Sequence, residues 1–113
     1  MNEVTSSTDW LVFSPEEILA KVAGSDAKIF EFLRVSSLSV SIYRLPAGSK
    51  DMQAPHLEDE VYYVVEGKAR LQVQEKVHNI IPGSVLYVRA TTAHSFFDIE
   101  EDLVVLAIFG SQR

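Results

Sequence analysis

Apolar and polar residues alternate over short runs through most of the chain, and this alternation is typical of half-buried β-strands. The clearest run extends from Leu38 to Leu45. Residues 61–65 are apolar without a break, so we expect both faces of that strand to be covered. Further runs rich in β-branched, aliphatic or aromatic residues are 28–34, 69–73, 85–88, 94–99 and 103–109. Many short strands separated by turns predict an all-β sandwich or barrel.

One short helix is expected before the strands, after a loose N-terminal tail at residues 1–9. Ser14 has the position of an N-cap, Pro15 that of the first helical residue and Glu17 that of the capping-box partner. Gly24 is expected to end this helix. Its apolar face would consist of Ile18, Leu19 and Val22. Such a face predicts a helix that packs against the sheet as a lid.

Glycine, proline and acidic residues mark the predicted turns between strands. Residues 46–48 and 82–83 contain proline and glycine, and residues 66–68 predict a tight hairpin turn around Gly67. The acidic cluster at residues 98–102 predicts a solvated turn, because it lacks the pattern of an EF-hand calcium loop.

Composition limits the classes of protein to which the chain can belong. Its 113 residues, 47% hydrophobic and 23% charged, predict a single domain spanning residues 1–113. The absence of cysteine excludes disulfides, thiolate nucleophiles and iron–sulfur ligation. The net charge of −6 makes nucleic acid a poor partner, and no apolar run is long enough to span a membrane. Without a recognisable signal peptide, a cytoplasmic location is expected.

Three residues form the candidate metal-binding site: His56, Glu60 and His94. On a regular strand His56 and Glu60 would lie about 13 Å apart, so the chain between them must bulge or turn for both to bind one ion. Pro55 suits such a break. His94, at the start of another predicted strand, can reach the same lumen in a closed barrel. Two histidines and one carboxylate form the facial triad of non-heme Fe(II) proteins, and they also suit Zn, Mn or Ni.

The spacing around these residues resembles the motifs of the cupin superfamily, in its small single-domain bacterial type (cupin 2). The first motif runs Gly, five residues, His, one residue, His, three or four residues, Glu, six residues, Gly. Its five positions in this chain hold Gly48, Ala54, His56, Glu60 and Gly67.

The second cupin motif is matched less completely. It runs Gly, five residues, Pro, one residue, Gly, two residues, His, three residues, Asn. Gly83 and His94 match, whereas Arg89, Thr91 and Asp98 replace the motif proline, glycine and asparagine. The resemblance covers residues from about 38 to 109.

The resemblance implies a double-stranded β-helix barrel that often pairs as a homodimer and holds one divalent metal ion (Fe, Zn, Mn or Ni). Of the four family ligands, three carry over as His56, Glu60 and His94, while Ala54 replaces the first histidine. The site then has three protein ligands and water, or a substitute ligand, or a weakened affinity that leaves it empty. The nearest substitute is Gln53, through its amide oxygen.

Strand parity indicates which residues share the lumen with these ligands. Tyr62 lies two residues after Glu60, and Phe96 lies two residues after His94, so each pair shares a face of its strand. The expected pocket-lining residues are Tyr43, Ala54, Tyr62 and Phe96.

Two classes of function remain open from the sequence. By the resemblance, the chain is expected to be either a metal-binding cupin that acts as a metal-dependent enzyme of dioxygenase, isomerase or lyase type on a small molecule, or a non-catalytic protein. The non-catalytic forms are a small-ligand-binding cupin and a structural dimer whose vestigial triad is only a hydrogen-bonded polar cluster. A homodimer is also expected because residues 103–108 are apolar on both faces, and the face turned away from the core needs a partner or the N-terminal helix.

Overall fold

One short helix and six antiparallel strands make up the part of the chain described by this computed structural model, residues 9–51 and 56–111. The elements are α1 (Pro15–Ala20), β1 (Lys28–Arg34), β2 (Leu38–Leu45), β3 (Glu60–Val73), β4 (Lys76–Ile80), β5 (Val85–Val88) and β6 (His94–Gly110). The predicted all-β fold with a short N-terminal helix is confirmed. Among these residues, no helix has the length and apolar character needed to cross a membrane.

The long strands β3 and β6 form the centre of the sheet. The strand order is β1-β2-β6-β3-β4, and β5 also pairs with β3. Glu60 pairs with Phe109 at one end of the β3–β6 ribbon, and Val73 pairs with His94 at the other. In a flat ribbon these ends would be about 43 Å apart. Because Glu60 and His94 are nevertheless in contact, as described below, the ribbon must fold back on itself.

Irregular pairing in the middle of the ribbon provides this bend. The register between β3 and β6 shifts repeatedly from Val64 to Arg70. Tyr62 and Val64 face the core before the bend, whereas Ala69 and Leu71 face it afterwards, so one residue is inserted and the inward parity changes. Such β-bulges bend a strand and increase its twist.

The turns predicted at residues 66–68 and 98–102 are therefore wrong, since β3 and β6 continue through them. Gly67 has a φ of 101° and Asp98 a φ of 47°. A positive φ is needed in tight hairpin turns and in some bulges alike, so the residue pattern did not separate the two.

Gly67→Ala is expected to destabilise the fold by about 3 kcal/mol, from a disfavoured positive φ and overpacking. A Cβ at Gly67 would collide with the backbone carbonyl oxygen of Asp102 on β6. The matched control is Gly48→Ala: Gly48 also has a positive φ (80°), but no atom of the described residues lies within 4 Å of the added Cβ. Urea unfolding of both variants measures the difference, and equal losses would show that close β3–β6 packing does not require Gly67.

The helix covers the outer face of β1, β2 and β6. Val22, Phe32, Ile42 and Val104 form a buried cluster there, against which Ile18 and Leu19 also pack. The predicted packing of the helix against the sheet is thus confirmed, and the helix covers the side of β6 on which Val104 lies. Ser14 and Pro15 hold the predicted N-cap and first helical positions, but within the described residues Ser14 makes no side-chain capping hydrogen bond, so the predicted capping box is not formed. The helix also ends at Ala20, before Gly24, because Lys21 N–H already turns back to the carbonyl of Ile18.

A second part of the outer surface remains apolar and exposed. Within a single chain, the expectation that both faces of residues 61–65 are covered is not met, because Tyr63 and Val65 are 44% and 39% exposed. An unbroken apolar run does not distinguish a covered strand from one with an exposed apolar face. On the neighbouring β5, Val85 and Tyr87 pair with Tyr63 and Val61 and are also exposed. We call the surface formed by Val61, Tyr63, Val65, Val85 and Tyr87 the outer apolar face.

Candidate metal centre

The bend of the β3–β6 ribbon brings together three side chains from separate parts of the chain. Glu60 is the first residue of β3, His94 is the first residue of β6, and His56 lies four residues before β3. His94 Nε2 is 3.1 Å from Glu60 Oε1, and His56 Nε2 is 4.0 Å from the same oxygen. One ligand atom from each residue lies within 4.8 Å of the other two. Metal–ligand bonds near 2.1 Å place adjacent ligands roughly 3.0–3.5 Å apart, so a small closure at His56 would suit one ion.

Glu60 is the least satisfied group in this cluster. Its side chain is 1% exposed, and within the described part of the chain neither carboxylate oxygen accepts a hydrogen bond of acceptable geometry. The close approach of His94 Nε2 is thus an electrostatic contact. A buried carboxylate without such partners is costly, and a bound cation removes that cost. The donor set therefore fits a divalent metal ion.

Backbone contacts orient His94. Its Nδ1 lies 2.8 Å from the carbonyl oxygen of Thr92, and because a carbonyl can only accept, we assign the hydrogen to Nδ1. Nε2 is then directed toward Glu60 and toward the Tyr62 hydroxyl, 3.2 Å away. The contact with the Glu60 carboxylate raises the pKa of His94, although burial of the ring opposes this. The site thus attracts positive charge to Nε2.

Two contacts fasten the His56–Glu60 segment to the turn that precedes His94. Thr91 N–H donates to the carbonyl of His56 at 2.6 Å, and Ala90 N–H donates to Asp59 Oδ1 at 2.9 Å. Thr91 occupies the position of a motif glycine and has a φ of 64°, which a β-branched residue rarely adopts. The turn therefore keeps the backbone shape for which glycine is suited.

Asp51 provides a further attachment. One of its carboxylate oxygens accepts the Phe96 N–H at 2.9 Å, and the other accepts the Tyr43 hydroxyl at 2.8 Å. It thus ties the chain that leads to His56 to β6, two residues beyond His94. Neither Asp51 nor Asp59 was identified from the sequence. An acidic residue in a loop carries no signal that separates such an anchor from an ordinary solvated side chain.

The predicted pocket residues fall in different places. Tyr62 and Phe96 are buried with ring centroids 5.0 Å apart, and Tyr62 borders His94. Tyr43 is buried in the same core and is bonded to Asp51, so its pocket-lining role stays a prediction. Phe109, which was not predicted to line the pocket, packs against His56 with the two ring centroids 4.8 Å apart. Two other candidates, Gln53 and Ala54, lie outside the described residues.

Sequence comparisons place the chain among known proteins. The family described as "Cupin domain" matches residues 41–109. A relative from Streptomyces coelicolor (strain ATCC BAA-471 / A3(2) / M145), named uncharacterized protein SCO3923, is 44% identical over 98 residues. These residues represent 87% of this chain and 93% of the relative.

Solved structures share the fold at low sequence identity. A double-stranded β-helix protein from Klebsiella pneumoniae subsp. pneumoniae MGH 78578 has a TM-score of 0.78 and 14% identity, and 93% of each chain is covered. The DMSP lyase DddQ from Ruegeria pomeroyi DSS-3 has a TM-score of 0.70 and 16% identity over 76% of this chain. The match spans about half of that lyase, 47% of its chain. These similarities confirm the predicted double-stranded β-helix.

Proposed function

This chain belongs to the cupin domain family, and we propose that it binds one divalent metal ion and uses it on a small-molecule substrate. The proposed ligands are His56, Glu60 and His94. The observation that carries the proposal is the buried Glu60 carboxylate, which faces two imidazole nitrogens and accepts no hydrogen bond within the described residues. A divalent cation would satisfy this carboxylate and both nitrogens together.

The surrounding residues suit a reaction on a small ligand. His94 is held by Thr92 with Nε2 facing the centre, while His56 is 28% exposed and lies on the side open to solvent. Phe109 packs on His56, and Phe96 packs on Tyr62, so aromatic rings border two residues of the centre's surroundings. A bound divalent ion would act as a Lewis acid toward an oxygen of the substrate or would support dioxygen chemistry.

We propose a metal-dependent reaction of lyase, isomerase or dioxygenase type. Three protein ligands leave at least one coordination position of a divalent ion open, which a substrate requires. The similarity to a protein titled DMSP lyase supports the compatibility of this fold with lyase chemistry, although fold alone does not select a reaction.

Elemental analysis of the purified protein tests the metal site. The protein is measured as isolated, after treatment with a chelator, and after reloading separately with Fe²⁺, Zn²⁺, Mn²⁺ or Ni²⁺. We expect about one ion per chain after reloading with at least one of these metals, since the described residues contain one set of three such ligands. A protein that retains no metal under any loading condition would refute the proposal.

We also propose a homodimer that buries the outer apolar face. Five apolar or aromatic side chains lie there on paired strands, and contiguous exposed patches of this kind mark interaction sites. A two-fold arrangement would place the same surface of each copy against the other.

Light scattering is expected to give about twice the chain mass of 12.6 kDa. The double variant Val85→Glu/Tyr87→Glu should give a monomer, because dimerisation would bury the new carboxylates. Val77→Glu is the matched control, since Val77 is a 49% exposed apolar residue on β4, outside this surface. A wild-type mass near 12.6 kDa would contradict the dimer.

A further inference from the structure

Asp59 is hydrogen-bonded to both ends of β6 at the proposed metal centre. Its carboxylate oxygen Oδ1 accepts the Ala90 N–H at 2.9 Å, in the turn that leads to His94, the first residue of β6. Its backbone carbonyl accepts the N–H of Gly110, the last residue of β6, also at 2.9 Å. Glu60, the first residue of β3, follows Asp59 directly. One residue therefore joins the start of β3 to the two ends of β6.

The ligand segment, residues 56–60, depends on such bonds for its position. Residues 56–59 form neither helix nor strand, and they are attached to the turn at residues 90–91 by two hydrogen bonds. The bond from Thr91 N–H ends on the backbone carbonyl of His56, whereas the bond from Ala90 N–H ends on the side chain of Asp59. A substitution of Asp59 can therefore remove one of these attachments and leave the other in place.

The distances within the metal centre show why this attachment matters. Glu60 Oε1 is 3.1 Å from His94 Nε2 but 4.0 Å from His56 Nε2, so the segment must stay close to His94 for one ion to contact all three residues. Ligands bind well only when they are held within about 0.5 Å of the productive geometry.

We propose that Asp59 is a positioning residue, whose hydrogen bond to Ala90 keeps the ligand segment within reach of His94 and so sets the metal affinity. This inference rests on the proposed metal site. Asp59 acts through the bond and not through its charge, because its side chain is exposed and an exposed charge is screened by solvent and salt.

Co²⁺ affinity, measured by competition with a chelator, tests the role of the bond. Asp59→Ala removes the acceptor and should bind Co²⁺ roughly tenfold more weakly, at the lower end of the cost of losing an outer-shell partner. Asp59→Asn removes the charge but keeps an oxygen acceptor, so its affinity should stay within about threefold of wild type. Circular dichroism shows whether each variant is folded.

Asp102→Ala is the matched control. Asp102 is exposed on β6, and its Oδ1 likewise accepts a backbone N–H, from Ala47 at 2.8 Å. It also forms an ion pair with Arg44, so its removal should cost at least as much stability as Asp59→Ala. Asp102 lies outside the three-residue cluster, and its removal should leave the Co²⁺ affinity unchanged. The control thus separates lost stability from lost positioning.

A measurement on the wild type tests the same link in the opposite direction. If the Asp59–Ala90 bond favours metal binding, then bound metal must favour the bond to the same extent, because coupling is reciprocal. Saturating Zn²⁺ should therefore slow hydrogen exchange of the Ala90 amide about tenfold more than that of the Ala47 amide, as followed by NMR. This measurement needs no variant, so it decides the question even if Asp59→Ala does not fold.

Four results would overturn the inference. Wild-type affinity in Asp59→Ala would show that the bond does not position the ligands. An equal loss in Asp59→Asn would make the charge responsible, and an equal loss in Asp102→Ala would attribute the effect to stability. Equal slowing of the two amides by Zn²⁺ would show that metal and bond are not coupled. Wild-type protein that binds neither Co²⁺ nor Zn²⁺ nor another divalent metal would instead refute the proposed function itself.

Discussion

His56→Ala and His94→Ala are each expected to abolish stoichiometric metal binding while the β fold is retained. Each variant removes one of two imidazole ligands, so the affinity should fall more than the roughly 10- to 100-fold that loss of an outer-shell partner costs. Elemental analysis after equilibration with metal gives the occupancy, and circular dichroism reports the fold. The result for His56→Ala is easier to interpret than that for His94→Ala, because the His56 side chain is 28% exposed and its removal disturbs less of the core.

The matched control for this pair is His78→Ala. His78 is an exposed histidine on β4, outside the three-residue cluster. It should retain full metal occupancy and the wild-type spectrum. Full occupancy in His56→Ala or His94→Ala, with the fold intact, would show that the altered histidine is not a ligand.

Local patterns predicted the bounds of three of the six described strands, whereas β4 was not predicted. The bounds of β1, β2 and β5 agree with the runs 28–34, 38–45 and 85–88. Alternation reports which residues share a face of one strand, and it therefore placed Tyr62 with Glu60 in the interior. Such alternation can be read from residues that are close together in the sequence.

The path of the chain through Gly67 could not be predicted in the same way. A glycine between two apolar runs satisfies the requirements of a hairpin turn and of a bulge equally well. The decisive contact is the close approach of the Asp102 backbone, which lies far away in the sequence. The two long strands and their bend therefore appeared only in the structure.

The three proposed ligands were identified by motif spacing, whereas the groups that hold them together were not. Spacing along the chain identified His56, Glu60 and His94 as one set. The attachments through Asp51 and Asp59 are hydrogen bonds to backbone N–H groups of Phe96 and Ala90. Any nearby acidic residue can accept such a bond, so residue identity alone does not predict the pairing.

The final prediction concerns the carboxylate at the centre of the cluster. Glu60→Gln keeps the side-chain shape but removes a buried negative charge that has no hydrogen bond within the described residues. At mildly alkaline pH, without metal, the variant should be more stable than wild type by about 1–3 kcal/mol, or a few degrees in Tm. With metal in large excess, wild type should instead be the more stable of the two proteins. At a thousandfold excess over Kd, wild type would gain about 4 kcal/mol, and the variant, which lacks the anionic ligand, would gain little.

At acid pH, the difference in stability between metal-free wild type and metal-free Glu60→Gln should become smaller. Contact with Glu60 raises the pKa of His94 in the folded state, so this contact stabilises the wild type below the unfolded-state pKa near 6.5. That stabilisation is lost as the pH rises through the folded-state value, and Glu60→Gln lacks it. Thermal unfolding with a chelator and with excess Zn²⁺, at two pH values, measures all of these effects. If Glu60→Gln were less stable than wild type at alkaline pH without metal, the carboxylate would be satisfied by the protein itself, and the observation that supports the metal site would be lost.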